Sequence, residues 1–197
     1  MTVNIDATSR KYHGRMAENY EPKRKKQQRW DQENDTVERM LMRLRPKSVL
    51  DLPCGTGRFL GVYDALRVKR IMAVDVSDEM IRIAQRKYMK FTDPKFICAD
   101  VRKVHIKGTV DVAVCVRFLD LIDDAAMRQV VKLLARTARR AIICTIRLGP
   151  EYVAKSNTAT HDERKFRALL KKIGWKIVKD VPVFTQGWHI LLLKPRS

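Results

Sequence analysis

The stretch VLDLPCGTGRFL, residues 49–60, determines how the rest of the chain is interpreted. An apolar run ends at Asp51, passes through a turn that contains Gly55 and Gly57, and leads into a helical pattern. Glycines allow the backbone of such a turn to approach a ligand closely, and the first N–H groups of the following helix have no partner within the helix. The stretch therefore predicts a strand, a ligand-binding turn and a helix, in that order.

The same stretch indicates which ligand the turn would accept. The dinucleotide-binding fingerprint requires a third glycine, and Leu60 stands at that position. Asp51 comes just before the turn, where a carboxylate would repel a pyrophosphate and attract a cation. These residues favour a ligand that carries an ammonium or sulfonium group over a dinucleotide.

Strand-like and helix-like patterns alternate from this region onward. Apolar runs of four to eight residues are separated by amphipathic stretches as far as about Arg147. We predict strands near 48–52, 70–75, 95–99, 110–116 and 140–147, and helices near 57–67, 78–90 and 124–138. Such alternation is typical of an α/β protein with a parallel sheet and helices on both faces.

The last part of the chain follows a different pattern. His161-Asp162-Glu163 begins a basic amphipathic helix that ends near Gly174. Two further strands are predicted over 175–183 and 188–193, and the short turn between them suits an antiparallel pair. The chain as a whole therefore predicts a seven-stranded mixed sheet.

Polar side chains stand where successive predicted strands end. Asp75 closes the second strand, Asp100 closes the third, and the fourth runs into Arg117. The carboxyl ends of parallel strands form the ligand-binding edge of an open α/β sheet. An acid at the end of the second strand is placed to accept hydrogen bonds from two ribose hydroxyls, and Asp100 can accept one from an adenine amino group.

Four stretches together resemble the motifs of class I S-adenosylmethionine-dependent methyltransferases. They are VLDLPCGTGRF, MAVDVSDEMI, CADVRKV and DVAVCVRFLDLI, in the order and spacing of that family, and the resemblance extends over roughly 48–194. Pro53 departs from the smaller residue that is commoner there. The resemblance implies a Rossmann-like fold whose last strand is antiparallel, with S-adenosylmethionine lying across the carboxyl edge of the sheet.

The resemblance also implies roles for individual residues. Asp51 and Gly55 would hold the methionine end of the cofactor, and Asp75 would hold the ribose hydroxyls. Asp100 and Val101 would hold the adenine, against which Met80 would pack. The other expected cofactor contacts of this domain are Pro53, Cys54, Gly57, Val76, Val116 and Arg117.

Residues 1–45 are interpreted as an N-terminal helical lid segment, ahead of a methyltransferase domain over 46–197. The stretch 11–20 resembles the lead-in of small-molecule and ubiquinone-type methyltransferases, so Tyr12 and Tyr20 are expected over the cofactor rather than in the core of the sheet. Arg24 or Arg29 would reach the cofactor's carboxylate, unless the basic run beside them is simply a solvated surface. A chain that starts near Asp35 is then expected to fold but to bind the cofactor weakly.

The methyl acceptor is less well determined than the cofactor. Methyl transfer depends mainly on alignment, and a base is needed only where the acceptor must lose a proton. Asp120 and Arg117, which follow the fourth strand, are the candidate catalytic residues. The other candidates for contact with the acceptor are Arg147, Tyr152, His161 and His189.

The net charge of +19 and the pI near 10.1 favour an anionic acceptor or surface. The leading hypothesis is methylation of a small molecule or of a phosphorylated or lipid-linked glycan. An RNA methyltransferase and a cofactor-binding adaptor without turnover are the alternatives. Aromatic residues make up only 7% of the chain, so specific nucleic-acid binding is not favoured.

Cellular context is predicted from the same composition. The N-terminus lacks the apolar core of a signal peptide, and no apolar run reaches the length of a membrane span. We therefore expect a cytoplasmic protein, with peripheral membrane contact left open. The four cysteines are widely spaced and form no CxxC pair, so neither a disulfide nor a metal site is expected.

Overall fold

The computed structural model describes residues 17, 19–26, 29–88, 93–101, 103–155, 158–183 and 187–196. Its helices are α1 (Tyr20–Lys25), α2 (Arg29–Leu44), α3 (Leu60–Ala65), α4 (Asp78–Tyr88), α5 (Asp124–Thr137) and α6 (Glu163–Lys172). Its strands are β1 (Ser48–Asp51), β2 (Arg70–Asp75), β3 (Lys95–Cys98), β4 (Val110–Cys115), β5 (Ala138–Gly149), β6 (Val153–Lys155), β7 (Thr158–Asp162), β8 (Trp175–Pro182) and β9 (Trp188–Pro195). None of the helices in these ranges is long and apolar enough to cross a membrane.

Seven strands form the main sheet in the order β3-β2-β1-β4-β5-β9-β8. Strands β1 to β5 are parallel, and β9 runs antiparallel to both β5 and β8. This arrangement confirms the predicted Rossmann-like mixed sheet with an antiparallel last strand. Its chain order reverses between β1 and β4, which is where folds of this kind bind ligands.

Helices cover both faces of the sheet because successive residues of each strand point to opposite sides. Leu50 of β1 joins the apolar cluster that includes α5 and α6, and its neighbour Val49 joins the cluster that includes α2 and α3. The two helices of the first face each begin at an aspartate cap. Asp123 accepts a hydrogen bond from the Ala126 N–H, and Asp162 accepts one from the Lys165 N–H.

Helix α2 lies in the core, which the sequence did not lead us to expect. Val37, Met40, Leu41 and Leu44 recur at helical spacing, are buried, and pack in one cluster with sheet residues. The expectation that the N-terminal segment stays out of the sheet's core is therefore wrong for this helix. The apolar stripe was obscured by the high charge of the surrounding residues.

Two boundaries and one hairpin also differ from the prediction. The helix after the glycine turn begins at Leu60 rather than near residue 57. His161 lies in β7 rather than in a helix, because β6 and β7 form a short hairpin that continues the sheet beside the end of β5. These strands have three and five residues, too few to show a periodic pattern.

Candidate cofactor site

A cavity opens at the carboxyl edge of the sheet, between the ends of β1 and β4. It spans about 810 Å³ including the open space at its mouth, and it is bordered by the glycine turn, by the ends of β1 and β2, and by the residues after β4. Ten of the predicted cofactor residues line it, namely Tyr20, Asp51, Pro53, Cys54, Gly55, Asp75, Val76, Met80, Val116 and Arg117.

A second cavity of about 340 Å³ adjoins the first. Asp100 and Val101 border it, as the adenine prediction requires. Four residues belong to both cavities, namely Pro53, Asp75, Val76 and Phe118. The two cavities therefore form one elongated site along the ends of β4, β1, β2 and β3. Such a shape suits a ligand with a small charged end and a flat ring at the other end.

Asp75 stands at the junction of the two cavities. Its oxygens accept hydrogen bonds from the backbone N–H of Gly55 at 2.8 Å and from that of Ser77 at 3.0 Å. Burial raises the pKa of this carboxyl, and the N–H donors partly offset that rise. The side chain thus fixes the glycine turn at the point where the two cavities meet.

Asp51 is a second buried carboxyl in the same wall. One of its oxygens accepts a hydrogen bond from the Tyr63 hydroxyl at 3.1 Å. Burial raises the pKa of Asp51 to about 7, although the Tyr63 hydrogen bond lowers it. This site favours a cationic ligand, because a cation stabilises the ionised form of the Asp51 carboxyl.

Two arginines face the cavity from another side and share one buried carboxylate. Arg58 Nη1 lies 2.6 Å from Glu33 Oε1, and Arg117 Nε lies 2.9 Å and 3.0 Å from the two Glu33 oxygens. Glu33 is fully buried. Burial lowers the pKa of Arg58, and Glu33 opposes that shift. We call Arg58, Glu33 and Arg117 the buried triad.

Helix α2 supplies further contacts to the triad. The Arg58 guanidinium lies 3.7 Å from the ring centre of Trp30, and its Nε donates to Asn34 Oδ1 at 2.6 Å. Its Nη2 donates to the Trp30 carbonyl at 3.2 Å. A buried charge is tolerated only when it is paired and hydrogen-bonded to this extent. Helix α2 is therefore a structural part of the cavity wall.

Arg117 has an unusual backbone conformation. Its φ of 57° lies in the left-handed region, which a residue other than glycine enters at a cost of roughly 1–3 kcal/mol. The Arg117 N–H donates to Thr145 Oγ1 at 2.6 Å, which holds the bend at the end of β4. This bend directs the chain along the cavity, and Phe118 and Leu121 also line it.

The glycine turn is shaped by two left-handed residues. Gly55 has a φ of 54° and Gly57 a φ of 76°. Gly57 itself borders neither cavity, so its role is to shape the turn. Thr56 lines the cavity, and its hydroxyl is buried and has no hydrogen-bond partner among the described residues. An unsatisfied polar atom at a cavity wall fits a site built for a ligand.

Three candidate cofactor residues of the N-terminal segment cannot be placed on the cavity wall. Arg24 borders neither cavity, and its guanidinium lies 5.3 Å from the Tyr20 ring centre. Tyr12 lies outside the described residues, as does the side chain of Arg29.

Asp120 is buried beside the site rather than in it. Only 3% of its surface is exposed and it borders neither cavity. Burial raises its pKa to about 6, against the opposing influence of Arg147 and Arg117. Its Oδ1 has no hydrogen-bond partner within the described part of the chain. Its catalytic role stays a prediction.

The remaining candidates for acceptor contact lie outside both cavities. Both ring nitrogens of His161 face oxygen acceptors, Asp124 Oδ1 at 2.8 Å and the Leu119 carbonyl at 2.7 Å, so this side chain is fixed within the fold. Tyr152 packs against that ring. His189 is paired with Asp180 across the β8–β9 hairpin.

Sequence reasoning missed several residues of the cavity wall. They are Thr56, Arg58, Phe59, Phe118 and Leu121. Thr56, Arg58 and Phe59 belong to the glycine stretch itself, so their position beside a predicted ligand turn could have revealed them. Glu33 carries no such signal, because its partner Arg117 is 84 residues away in the chain.

Comparisons with known proteins agree with this geometry. Residues 49–141 match the family model described as a methyltransferase domain. Magnesium protoporphyrin IX methyltransferase from Synechocystis PCC 6803 with bound SAM has a TM-score of 0.68 at 21% identity, covering 84% of this chain and 79% of that one. PH0226 protein from Pyrococcus horikoshii OT3 has a TM-score of 0.67 at 19% identity, covering 87% of this chain and 93% of that one.

One curated relative is similar over a shorter stretch. The mRNA cap guanine-N(7) methyltransferase of Eremothecium gossypii is 38% identical over 63 residues, which are 30% of this chain and 15% of that protein. This chain thus matches only a small part of that relative. The matched stretch, the strand order and the cavity at the reversal point agree with one another. Residues 49–141 match a methyltransferase domain, and the chain has the Rossmann-like fold of solved S-adenosylmethionine-dependent methyltransferases.

Proposed function

We propose that this protein transfers the methyl group of S-adenosylmethionine to a small-molecule acceptor. The observation that carries the proposal is the charge arrangement of one cavity. Two buried carboxyls, Asp51 and Asp75, line it together with two arginines, Arg58 and Arg117. A zwitterionic ligand with an extra positive charge complements such a wall, whereas a pyrophosphate would meet the carboxyls.

The chemistry of each side chain matches one part of the cofactor. Asp51 suits the ammonium group, and the arginines of the buried triad suit the carboxylate. Asp75 suits the ribose hydroxyls because a carboxylate accepts hydrogen bonds from hydroxyl groups. Asp100 and Val101 in the second cavity suit the adenine. When bound, the cofactor would supply a methyl group activated by its sulfonium, with S-adenosylhomocysteine as the leaving group.

The protein's own contribution is alignment and the exclusion of water. Phe59 and Met80 are buried at the cavity wall, and Tyr20 and Phe118 also line it. Aromatic and apolar side chains in this position shield the reacting atoms from solvent and restrict the approach of the acceptor. Alignment of this kind contributes roughly 7–11 kcal/mol to a reaction between two bound partners.

The acceptor we propose has an apolar or aromatic body. Phe118 and Leu121 border the cavity where an acceptor would enter, and both are partly exposed. Acidic residues outnumber basic ones in the segments that follow the strands at this edge, 51–58, 75–79, 98–101, 116–124 and 147–151. That balance gives no support to an anionic acceptor, although the whole chain is strongly basic.

An RNA acceptor is the second candidate. The stretch that is 38% identical to the mRNA cap guanine-N(7) methyltransferase favours it. Its weakness is the absence of large exposed aromatic side chains among the described residues, because bases are usually held by stacking on such rings.

Two measurements test the proposal. Calorimetry should show binding of S-adenosylmethionine and of S-adenosylhomocysteine at micromolar affinity, and no binding of NAD. Binding of NAD without a response to either sulfur nucleotide would refute the cofactor assignment. Incubation with methyl-labelled cofactor and fractionated cell extract should then place label in the small-molecule fraction. Label in RNA would favour the second candidate, and cofactor binding without any transfer would favour a non-catalytic adaptor.

A further inference from the structure

The edge of the sheet opposite the cofactor site is strongly basic. Because β1 to β5 are parallel, their first residues meet at one edge, where β9 ends and β8 begins. We call this the amino edge. Its segments are 43–48, 64–70, 93–95, 107–111, 136–140, 171–176 and 194–196.

Most of the chain's net charge lies on the amino edge. Its segments contain sixteen lysines and arginines and three acidic residues, so they carry thirteen of the nineteen excess positive charges. All sixteen basic residues are exposed. One of the three acids, Asp111, is buried and accepts hydrogen bonds from the Lys47 N–H and from Arg139. The rest of the chain is much closer to neutral.

Folding alone does not explain this concentration of charge. Cations at the ends of helices stabilise the helix dipole, but only Arg43, Arg136, Lys171 and Lys172 lie in the last turn of a helix. Lysines on the outermost strands of a sheet prevent pairing with another chain. Basic residues, however, also stand at the start of β2 and β5, which lie inside the sheet.

One pair at this edge works against stability. Lys176 of β8 and Lys194 of β9 are direct cross-strand partners. Like charges opposite each other in an antiparallel pair are destabilising, and both side chains are exposed, with no acidic residue in the adjacent cross-strand pairs. A neutral residue at either position would avoid this repulsion. The presence of two lysines therefore indicates a partner of negative charge.

The dimensions of the edge fit a nucleic-acid backbone. Seven strands at a spacing of about 4.8 Å make the edge about 29 Å long. A DNA duplex presents about one phosphate charge per 1.7 Å of axis, or about 17 over that length. The half of these that faces the protein would meet sixteen exposed cations. Exposure is what backbone contacts require, since phosphates lie on the outside of a duplex.

The lack of exposed aromatic and apolar surface distinguishes a nucleic-acid duplex from a single strand or a membrane as the partner of this edge. The large exposed apolar residues of the described chain are Met42, Val76, Val153 and Val178, and none is aromatic. Single-stranded nucleic acid is usually held by aromatic stacking, and a membrane surface by a buried apolar face. Neither is present here among the described residues, so the phosphates of a duplex fit better.

We infer that the amino edge binds the phosphate backbone of a nucleic-acid duplex without reading its sequence. The site is separate from the cofactor cavity and does not depend on the proposed methyl transfer. A duplex on this edge leaves the cavity at the other edge of the sheet facing away from it.

Fluorescence anisotropy with a labelled 20-base-pair duplex, as DNA and as RNA of one sequence, tests this inference across a salt series. The edge variant is Lys107→Gln/Lys171→Gln/Lys172→Gln/Lys194→Gln. The control variant removes the same charge elsewhere, through Lys103→Gln/Lys132→Gln/Arg164→Gln/Lys165→Gln. Each lost phosphate contact should reduce the slope of log affinity against log salt by about 0.9 on DNA. The edge variant should therefore lose about 3 to 4 in slope and roughly tenfold or more in affinity at low salt.

The control variant should bind like the unchanged protein, and both variants should bind S-adenosylmethionine normally, which shows that they fold. Binding of either duplex with loss in the edge variant alone supports the inference. Equal loss in both variants would overturn it, because net charge rather than this edge would then be responsible. It would also be overturned by binding to anionic phospholipid vesicles in place of either duplex, or by no binding at low salt.

Discussion

The two edges of one sheet carry opposite charge in different forms. The segments that follow the strands at the carboxyl edge contain nine acidic and three basic residues, and the amino edge contains three acidic and sixteen basic ones. At the carboxyl edge Asp51, Asp75 and Arg117 are buried and hydrogen-bonded in fixed positions. At the amino edge the basic side chains are exposed.

This difference predicts which substitutions should have large effects and which should have small ones. A buried charge has a defined partner, so its loss leaves that partner unpaired and costs several kcal/mol. An exposed charge contributes little by itself, and its effect adds to that of its neighbours. Substitutions at the carboxyl edge should therefore have large and individual effects, and those at the amino edge small and additive ones.

The largest effect is expected for Glu33→Gln. Removing the shared carboxylate leaves Arg58 and Arg117 buried without their counter-ion, which should lower the free energy of unfolding by about 3–5 kcal/mol. Urea denaturation measures the change, and Glu38→Gln on the same helix is the control. A loss of less than about 1 kcal/mol, the range of an exposed pair, would show that the triad does not hold α2 in place.

The same contacts revise the expectation for truncation. A chain that starts near Asp35 lacks both Trp30 and Glu33, so it should lose stability as well as cofactor binding. Circular dichroism of the truncated chain during heating checks this. A melting temperature equal to that of the full chain would restore the interpretation of the segment as a lid alone.

The next effect in size is the loss of affinity in Asp75→Asn. A hydrogen bond to a charged group contributes about 1.5–3 kcal/mol, so affinity for S-adenosylmethionine should fall roughly 10- to 150-fold. Calorimetry gives the change, and Asp64→Asn, outside both cavities, is the control. Unchanged affinity would remove Asp75 from the cofactor site.

A smaller effect is expected from pH. With a pKa of about 7, roughly a tenth of Asp51 is ionised at pH 6 and roughly nine-tenths at pH 8. A cationic ligand requires the ionised form, so affinity should fall about tenfold from pH 8 to pH 6. The stability of the protein without ligand depends on pH in the opposite direction. The raised pKa of Asp51 favours folding at low pH, and this contribution is lost as pH rises through 7. Asp51→Asn should bind weakly and lose most of the pH dependence, and an unaltered profile in that variant would exclude Asp51 as its origin.

The smallest effect is expected at the amino edge. Lys194→Gln removes one of two facing lysines, so it should raise the free energy of unfolding by roughly 0.2–0.5 kcal/mol at low salt. Added salt should reduce the gain by screening. Denaturation at two salt concentrations measures it, and destabilisation by this variant would contradict the repulsion that we assign to the pair.

The sequence allowed prediction of features that are local. The glycine turn, the aspartates at strand ends and the alternation of strands and helices depend on short motifs and on apolar periodicity. Ten of the predicted residues consequently line one cavity. The same logic points to Asp120, which is buried and borders neither cavity, so its catalytic role stays a prediction.

Features that depend on distant pairs could not be predicted. Glu33 gains its role only from Arg58 and Arg117, which lie 25 and 84 residues further along the chain. The basic amino edge was hidden for a related reason. Its lysines and arginines come from seven separate segments, and only the parallel arrangement of the strands brings them together.

The stacking of Trp30 on Arg58 has a practical consequence. This indole is 4% exposed and sits under a guanidinium that lines the cofactor cavity, whereas Trp175 and Trp188 belong to the β8–β9 hairpin. Indole emission responds to nearby charge, and a carboxylate arriving at Arg58 would change the field across the ring. The protein thus contains its own optical reporter of cofactor occupancy, and comparing its fluorescence with that of Trp30→Phe would isolate the signal without any attached dye.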